Sequence, residues 1–245
     1  MTPPLARRVL AEYLGSAFLA ALVIGSGIAA AQLSDDSGLQ LLENAAATAA
    51  GLFAIILMFG PVSGGHFNPV VSLVDAAFGG LSRRDAPAYV SAQIAGCITG
   101  AVAANAMFSL AAVSISTHHR ASPAHLFAEV IATLGLVLVI FALARSGRAT
   151  TAPAAVGAYI GAAYWFTSST SFANPAISIG RMFSDTFAGI APASVPAFIV
   201  AQLIGGGGAF AAVRVLYPEV GPAAAADVVM PRHDGQQAPA PMPIR

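Results

Sequence analysis

Apolar residues along this chain run in six long stretches, and the short segments between them carry most of the charged residues. A membrane-spanning helix needs about 20 mostly apolar residues. Each stretch is long enough to cross a bilayer, so the pattern predicts an all-α membrane protein. The six stretches cover 8–35, 44–74, 86–119, 120–145, 149–180 and 186–213.

Two of these stretches contain a helix breaker near their end, Asn68-Pro69 in the second and Asn174-Pro175 in the fifth. Proline fits the first turn of a helix, and a preceding asparagine can cap that turn. Each pair therefore predicts a short re-entrant half-helix, over about 68–77 and 174–184. The predicted fold is six transmembrane helices plus two half-helices.

Composition agrees with a membrane protein. The chain is 57% hydrophobic and only 9% charged, with a mean hydropathy of +0.75, whereas soluble domains carry about 25% charged residues. Zero net charge and the absence of lysine argue against a nucleic-acid partner. The single cysteine, Cys97, excludes an internal disulfide and a cysteine-only metal cluster. We expect no cofactor and no metal site.

The arginines predict the orientation, because short cytoplasmic loops collect basic residues. With a cytoplasmic N-terminus, nine of the 11 arginines lie inside and only Arg120 and Arg181 lie outside. Both termini are then cytoplasmic. A cleavable signal peptide that begins at Arg7-Arg8 is the alternative, but Glu12 near the start of its apolar core argues against it.

Three landmarks occur twice in the same order: an Ala-Glu pair at Glu12 and Glu129, the two Asn-Pro pairs, and similar segments at 89–96 and 198–205. An odd number of spans per copy inverts the second copy, and such repeats place their site near the bilayer midplane. The predicted organisation is an N-terminus over 1–8, a first repeat over 9–112, an external loop over 113–123, a second repeat over 124–216 and a disordered cytoplasmic tail over 217–245.

If the two half-helices meet at the centre, their N-terminal dipoles create a positive potential there. The asparagine amides can donate hydrogen bonds into the lumen, while cations, hydronium included, are repelled. These features predict a narrow channel for uncharged polar molecules.

The segments 63–70 and 171–176, together with Glu12 and Glu129, resemble the major intrinsic protein family of aquaporins and glycerol facilitators over roughly residues 5–217. The resemblance implies a pore within each subunit of a homotetramer, with His66 lining its cytoplasmic side. It also implies that the two glutamates accept hydrogen bonds from the re-entrant loops. The paired central motifs would be Asn68, Pro69, Val70 and Asn174, Pro175, Ala176.

This chain departs from the family pattern at two positions. Val70 replaces an alanine and would add volume beside the central constriction, and Ile177 stands where many members have the arginine of the selectivity filter. Counting from the motifs places the filter at Thr48, Ala162, Ser171 and Ile177, with Gly161 and Ala163 as equally small alternatives to Ala162. Arg181 is expected in the external vestibule, or else snorkelling outward or paired with Asp185.

A filter without arginine or histidine predicts a wide pore with one apolar wall. Such a filter resembles that of bacterial members of the family associated with neutral metalloid hydroxides. The resemblance implies a passive channel, and no enzyme, for water, glycerol and neutral metalloid hydroxides such as arsenous acid, in the cell membrane of a bacterium. A strict water channel and a secondary transporter with inverted repeats are the alternatives. The external histidines, His118, His119 and His125, are not expected to bind a functional metal.

Overall fold

The computed structural model describes residues 3–218, and within them the chain is helical and has no strand. The predicted tail falls almost wholly outside these residues. Eight α-helices and three short 3-10 segments make up the fold. The helices are α1 (Leu5–Leu33), α2 (Ser37–Ser63), α3 (Pro69–Phe78), α4 (Ala86–Met107), α5 (Pro123–Arg145), α6 (Ala152–Phe166), α7 (Pro175–Gly180) and α8 (Val195–Leu216).

The order helix, helix, half-helix, helix occurs twice along the chain, as the landmarks predicted. The half-helices are α3 and α7. The second is shorter than the predicted 174–184, because its last turn tightens into a 3-10 segment at Arg181–Phe183. Within the described residues five helices are long and apolar enough to cross a membrane.

Helix α6, which has 15 residues, falls short of that length. It follows directly from a 3-10 turn at Ala149–Thr151. The uncharged stretch 149–180 contains this helix, the second re-entrant loop and α7. The helix is therefore much shorter than the length of the stretch suggested.

Small residues set the closest helix contacts. A Cβ atom at Gly96 of α4 would lie 2.3 Å from the carbonyl oxygen of Tyr13 in α1, and one at Gly205 of α8 would lie 2.4 Å from that of Val130 in α5. Glycine at these equivalent positions lets α1 pack along α4 and α5 along α8. Both half-helices are held between these pairs.

Candidate functional site

The two half-helices begin as predicted, with proline in the first helical position and asparagine as the N-cap. The side-chain oxygen of Asn68 accepts from the backbone N–H of Val70 at 2.9 Å. That of Asn174 accepts from Ala176 at 2.9 Å and from Ile177 at 3.3 Å. The cap fixes the direction of each amide, so that its NH₂ group points away from its own helix.

The same two amides form hydrogen bonds between the two repeats. Asn68 Nδ2 donates to the carbonyl oxygen of Ala173, and Asn174 Nδ2 donates to that of Phe67, both at 2.7 Å. Each NH₂ group has two hydrogens. One hydrogen is used across the repeat, and the other remains for a molecule in the cavity that both asparagines line.

Two buried glutamates hold the re-entrant loops in matching ways. Glu12 accepts from the backbone N–H groups of His66 at 3.0 Å and Phe67 at 2.7 Å. Glu129 accepts from those of Phe172 at 2.9 Å and Ala173 at 2.8 Å. Each carboxylate also accepts from a serine hydroxyl and a glutamine amide of its own repeat. These partners are Ser63 and Gln93 for Glu12, and Ser169 and Gln202 for Glu129.

Left-handed backbone turns both loops towards the centre. Phe67 and Ala173, directly before the two asparagines, both have φ of 47°. Gly65 (φ 65°) corresponds to Ser171 (φ 54°) in the second loop. A serine in this region is uncommon and costs energy, which the bonds to Glu129 offset.

A cavity of about 60 Å³ runs through the centre, which is room for a short row of water molecules. Apolar side chains form most of its wall, and polar groups occur at the two asparagines and towards one end. Its lining residues are Leu19, Val23, Thr48, Leu52, Ile56, Gly65, His66, Phe67, Asn68, Val71, Leu136, Ile140, Val156, Ile160, Tyr164, Ser171, Phe172, Asn174, Ile177 and Arg181.

The predicted filter is only partly brought together. Thr48, Ser171 and Ile177 line one end of the cavity, but Ala162 is exposed on the outer side of α6 and does not. Its place is taken by Tyr164, two residues later, whose hydroxyl lies 3.2 Å from Thr48 Oγ1. The prediction of a small residue at this position of the filter was therefore wrong. Counting residues from the Asn-Pro motifs did not fix which side chains of α6 face the cavity.

Arg181 lines the same end of the cavity and is 2% exposed, so it does not snorkel outward. Its Nε donates to the carbonyl oxygen of Ala188, and its Cζ lies 3.5 Å from the centre of the Phe172 ring. It is not paired with Asp185, which accepts instead from the backbone N–H of Thr117. A guanidinium therefore lines this end of the cavity from a position four residues after Ile177.

Val70 does not line the cavity. It is buried, and a Cβ atom at Gly206 of α8 would lie 2.3 Å from its Cγ1, so its extra methyl groups pack against α8. Pro69, Pro175 and Ala176 are also buried behind the lining residues. The volume that Val70 adds beside the central motif is therefore taken up by packing against α8.

His66 lines the cavity, and its Nδ1 lies 3.0 Å from Ser72 Oγ. Its Nε2 lies 3.4 Å from Oδ2 of Asp75, a fully buried carboxylate to which we assigned no role from the sequence. The internal repeat could have identified Asp75 as a candidate site residue. The separation of the two asparagines, 174 − 68 = 106, also separates Asp75 from Arg181.

The histidines at the opposite end from His66 do not converge on a site. His118 Nε2 lies 3.7 Å from Asp185, and His125 Nδ1 lies 2.6 Å from the carbonyl oxygen of Arg120. The hydrogen bond from Thr117 holds the pKa of the Asp185 carboxyl below its ordinary value. Among residues 3–218 no three His, Cys, Asp or Glu side chains are placed to hold a metal ion.

Known proteins match this arrangement over most of the chain. The profile of the family "Major intrinsic protein" matches residues 1–180. Aquaglyceroporin AqpS of Rhizobium meliloti (strain 1021) is 49% identical over 212 residues, which cover 86% of this chain and 91% of that protein. The glycerol uptake facilitator protein of Pseudomonas aeruginosa is 31% identical over 265 residues, covering 92% and 94%.

A solved structure supports the same fold. The X-ray structure of the aquaglyceroporin from Plasmodium falciparum superposes with a TM-score of 0.68 at 20% identity, covering 88% of this chain and 98% of that one. The similarity of sequence to two relatives, the profile match and the paired half-helices agree. This chain belongs to the major intrinsic protein family.

Proposed function

We propose that this protein is a passive channel for water and small uncharged solutes, with glycerol and neutral metalloid hydroxides such as arsenous acid among them, and that it excludes protons and ions. The observation that carries the proposal is the cavity with one free N–H from each of Asn68 and Asn174. The printed names of the relatives, an aquaglyceroporin and a glycerol uptake facilitator, support the same solutes.

The end of the cavity near Arg181 supports solutes larger than water. Arg181, Thr48 and Ser171 offer polar groups there, and Ile177 and Ile160 offer apolar surface. The hydroxyl of Ser171 is buried and has no hydrogen-bond partner, so it is free for a solute. A polyol has hydroxyl groups and a hydrocarbon backbone, and this mixed lining can accommodate both.

Selectivity against cations follows from charge. The N-termini of α3 and α7 direct positive partial charges to the centre. Arg181 adds a full positive charge at one end, and the described residues give it no carboxylate partner. A cation that entered the row of water molecules would meet both positive potentials.

We place both termini in the cytoplasm, with the Arg181 end of the cavity outside, and we propose a homotetramer in the cell membrane of a bacterium. The distribution of arginines supports the orientation. Exposed apolar side chains on the outer helix faces, such as Phe18, Trp165 and Ile204, suit contact with lipid or with other subunits.

The test is stopped-flow light scattering on proteoliposomes of the purified protein. We expect water, glycerol and arsenous acid fluxes above those of empty liposomes, linear in the solute gradient and unchanged by a protonophore. Water flux without glycerol or arsenous acid flux would establish a strict water channel, and saturable flux abolished by the protonophore would establish a transporter.

Ile177→Arg sharpens this test. A second guanidinium beside Arg181 narrows the cavity, so glycerol flux should fall more than water flux. Ile177→Val, which keeps a small apolar side chain, is the matched control and should leave the ratio of the two fluxes unchanged. An equal fall in both fluxes for Ile177→Arg would argue against a role of this position in solute size selection.

A further inference from the structure

Asp75 is a buried carboxylate that the channel, as described so far, does not use. It lies in α3, is 0% exposed, and neither of its oxygens accepts a hydrogen bond. A carboxylate without partners in such a place is costly. Its described ion-pair partner is Nε2 of His66, which lies 3.4 Å from Oδ2 and also has no hydrogen-bond partner.

The internal repeat contains a second pair of residues at the equivalent positions. An offset of 106 residues relates His66 to Phe172 and Asp75 to Arg181. Arg181 lies over the ring of Phe172, as Asp75 lies beside the ring of His66. In each repeat, therefore, a charged residue seven positions after the asparagine contacts the ring two positions before it, and the residue that bears this ring is among those that line the cavity.

Hydrogen bonds on the other side of the ring indicate where the imidazole proton lies. Gln93 Nε2 donates to Ser72 Oγ at 2.8 Å. Ser178, which corresponds to Ser72, donates its hydroxyl proton to the carbonyl oxygen of Asn174, whereas Ser72 Oγ has only His66 and Gln93 as partners within the described residues.

The hydroxyl proton of Ser72 is therefore donated to His66 Nδ1. A neutral imidazole that accepts at Nδ1 carries its proton on Nε2. This nitrogen faces Asp75.

We propose that Asp75 is a positioning residue for the pore wall: its carboxylate attracts the Nε2–H group of His66 across 3.4 Å and, with Ser72, holds both ring nitrogens away from the lumen. This inference rests on the proposed channel function. The ring, which is fully buried, then presents no donor to the cavity. A passing solute meets the donors of Asn68 and Asn174 without a competing histidine donor on that side.

The charged groups around the ring fit this assignment. Glu12 of α1 accepts a hydrogen bond from the backbone N–H of His66. None of the described hydrogen bonds joins Glu12 to the imidazole ring. Tyr89 of α4 lies 5.4 Å from the ring, centre to centre, and closes its outer side. Among the described residues, the carboxylate that forms an ion-pair contact with Nε2 is that of Asp75 in α3.

The experiment compares Asp75→Leu, Asp75→Asn and the wild-type protein. Leucine removes the acceptor, whereas the amide oxygen of asparagine can still accept from Nε2. A buried donor without an acceptor shifts the balance between two ring orientations by about tenfold. The ring of Asp75→Leu should then turn towards the lumen, and water permeability per channel should fall several-fold while Asp75→Asn stays near the wild type.

Asp85→Leu is the matched control, because Asp85 is a carboxylate that pairs with Arg8 at 2.8 Å and does not line the cavity. It should not change permeability per channel. The second readout is nitrogen NMR of labelled His66, where the wild type and Asp75→Asn should show protonated Nε2 and bare Nδ1, and Asp75→Leu should show an altered signature.

Wild-type His66 with its proton on Nδ1 would overturn the inference, and so would equal permeabilities and spectra in Asp75→Leu and the wild type. Equal losses in the leucine and asparagine variants would also overturn it, since the accepting oxygen would then not matter. Failure of the wild type to conduct water at all would instead refute the proposed function, so the two failures are distinguishable.

Discussion

Arg181 is the residue that most changes the picture of this pore. Its guanidinium is buried at one end of the cavity, against the ring of Phe172. The sequence has isoleucine at the position where the family pattern has arginine, and the structure supplies a guanidinium from the following turn. A positive charge at the pore end therefore coexists with the apolar side chain of Ile177.

Removal of this charge should weaken cation exclusion. A unit charge within a few ångströms of the path contributes on the order of 1–4 kcal/mol to the barrier for a cation. We expect Arg181→Leu to raise proton flux about tenfold, measured with a pH-sensitive dye inside proteoliposomes. Arg181→Lys keeps the charge and should stay near the wild type, and unchanged proton flux in Arg181→Leu would assign exclusion to the half-helix dipoles alone.

Single residues also mark the limit of what the sequence could predict. Asn68 and Asn174 were identified because Asn-Pro, which can cap and begin a helix, occurs at the same place in both copies of the repeat. Tyr164 was missed because counting along an uncharged stretch does not fix which face of α6 turns inward. Asp75 was missed because its role depends on a contact with His66 that no local pattern shows.

At the scale of elements, the two re-entrant loops depend on the glutamates more than on their own residues. Each loop has backbone N–H groups that no helix satisfies, and Glu12 or Glu129 accepts two of them. The second loop also has Thr170 and Ser171 in left-handed conformations. The element is therefore stable only while its carboxylate is in place.

Glu129→Leu should destabilise the second loop. Loss of the carboxylate leaves the N–H groups of Phe172 and Ala173 without acceptors, and each buried unpaired donor costs about 1–3 kcal/mol. We expect a lower midpoint of thermal unfolding in detergent and loss of water permeability. Glu43→Leu is the control, because Glu43 Oε2 has no hydrogen-bond partner, and an equal loss in both variants would contradict the bracing role of Glu129.

Helix packing offers a second test at this scale, within α8 alone. A Cβ atom at Gly205 would lie 2.4 Å from the carbonyl oxygen of Val130, whereas one at Gly207 would meet nothing within 4 Å. Gly205→Ala should destabilise the protein by about 1–3 kcal/mol through overpacking. Gly207→Ala should be neutral or stabilising by up to about 1 kcal/mol. Similar unfolding midpoints for the two variants would contradict close packing of α5 on α8.

For the whole molecule, the sequence predicted architecture better than detail. Two copies of helix, helix, half-helix and helix follow from the landmarks, because charge is scarce and the Asn-Pro pair occurs at the same place in both copies. The length of α6 and the lining of one pore end did not follow, since both depend on how an uncharged stretch is divided between helix and loop. The orientation in the membrane rests on the distribution of arginines alone.

That orientation can be tested because the chain has one cysteine, and Cys97 is fully buried. His119 lies in the predicted external loop, and Thr150 lies two residues after Arg148, which the arginine distribution places in the cytoplasm; both residues are exposed. In intact cells a membrane-impermeant maleimide should label His119→Cys and not Thr150→Cys, which should react only after permeabilisation. The wild type, with Cys97 alone, should remain unlabelled in both conditions. The reverse pattern would place the termini outside and the Arg181 end of the cavity in the cytoplasm, so that cation exclusion by Arg181 would act on the opposite face of the membrane.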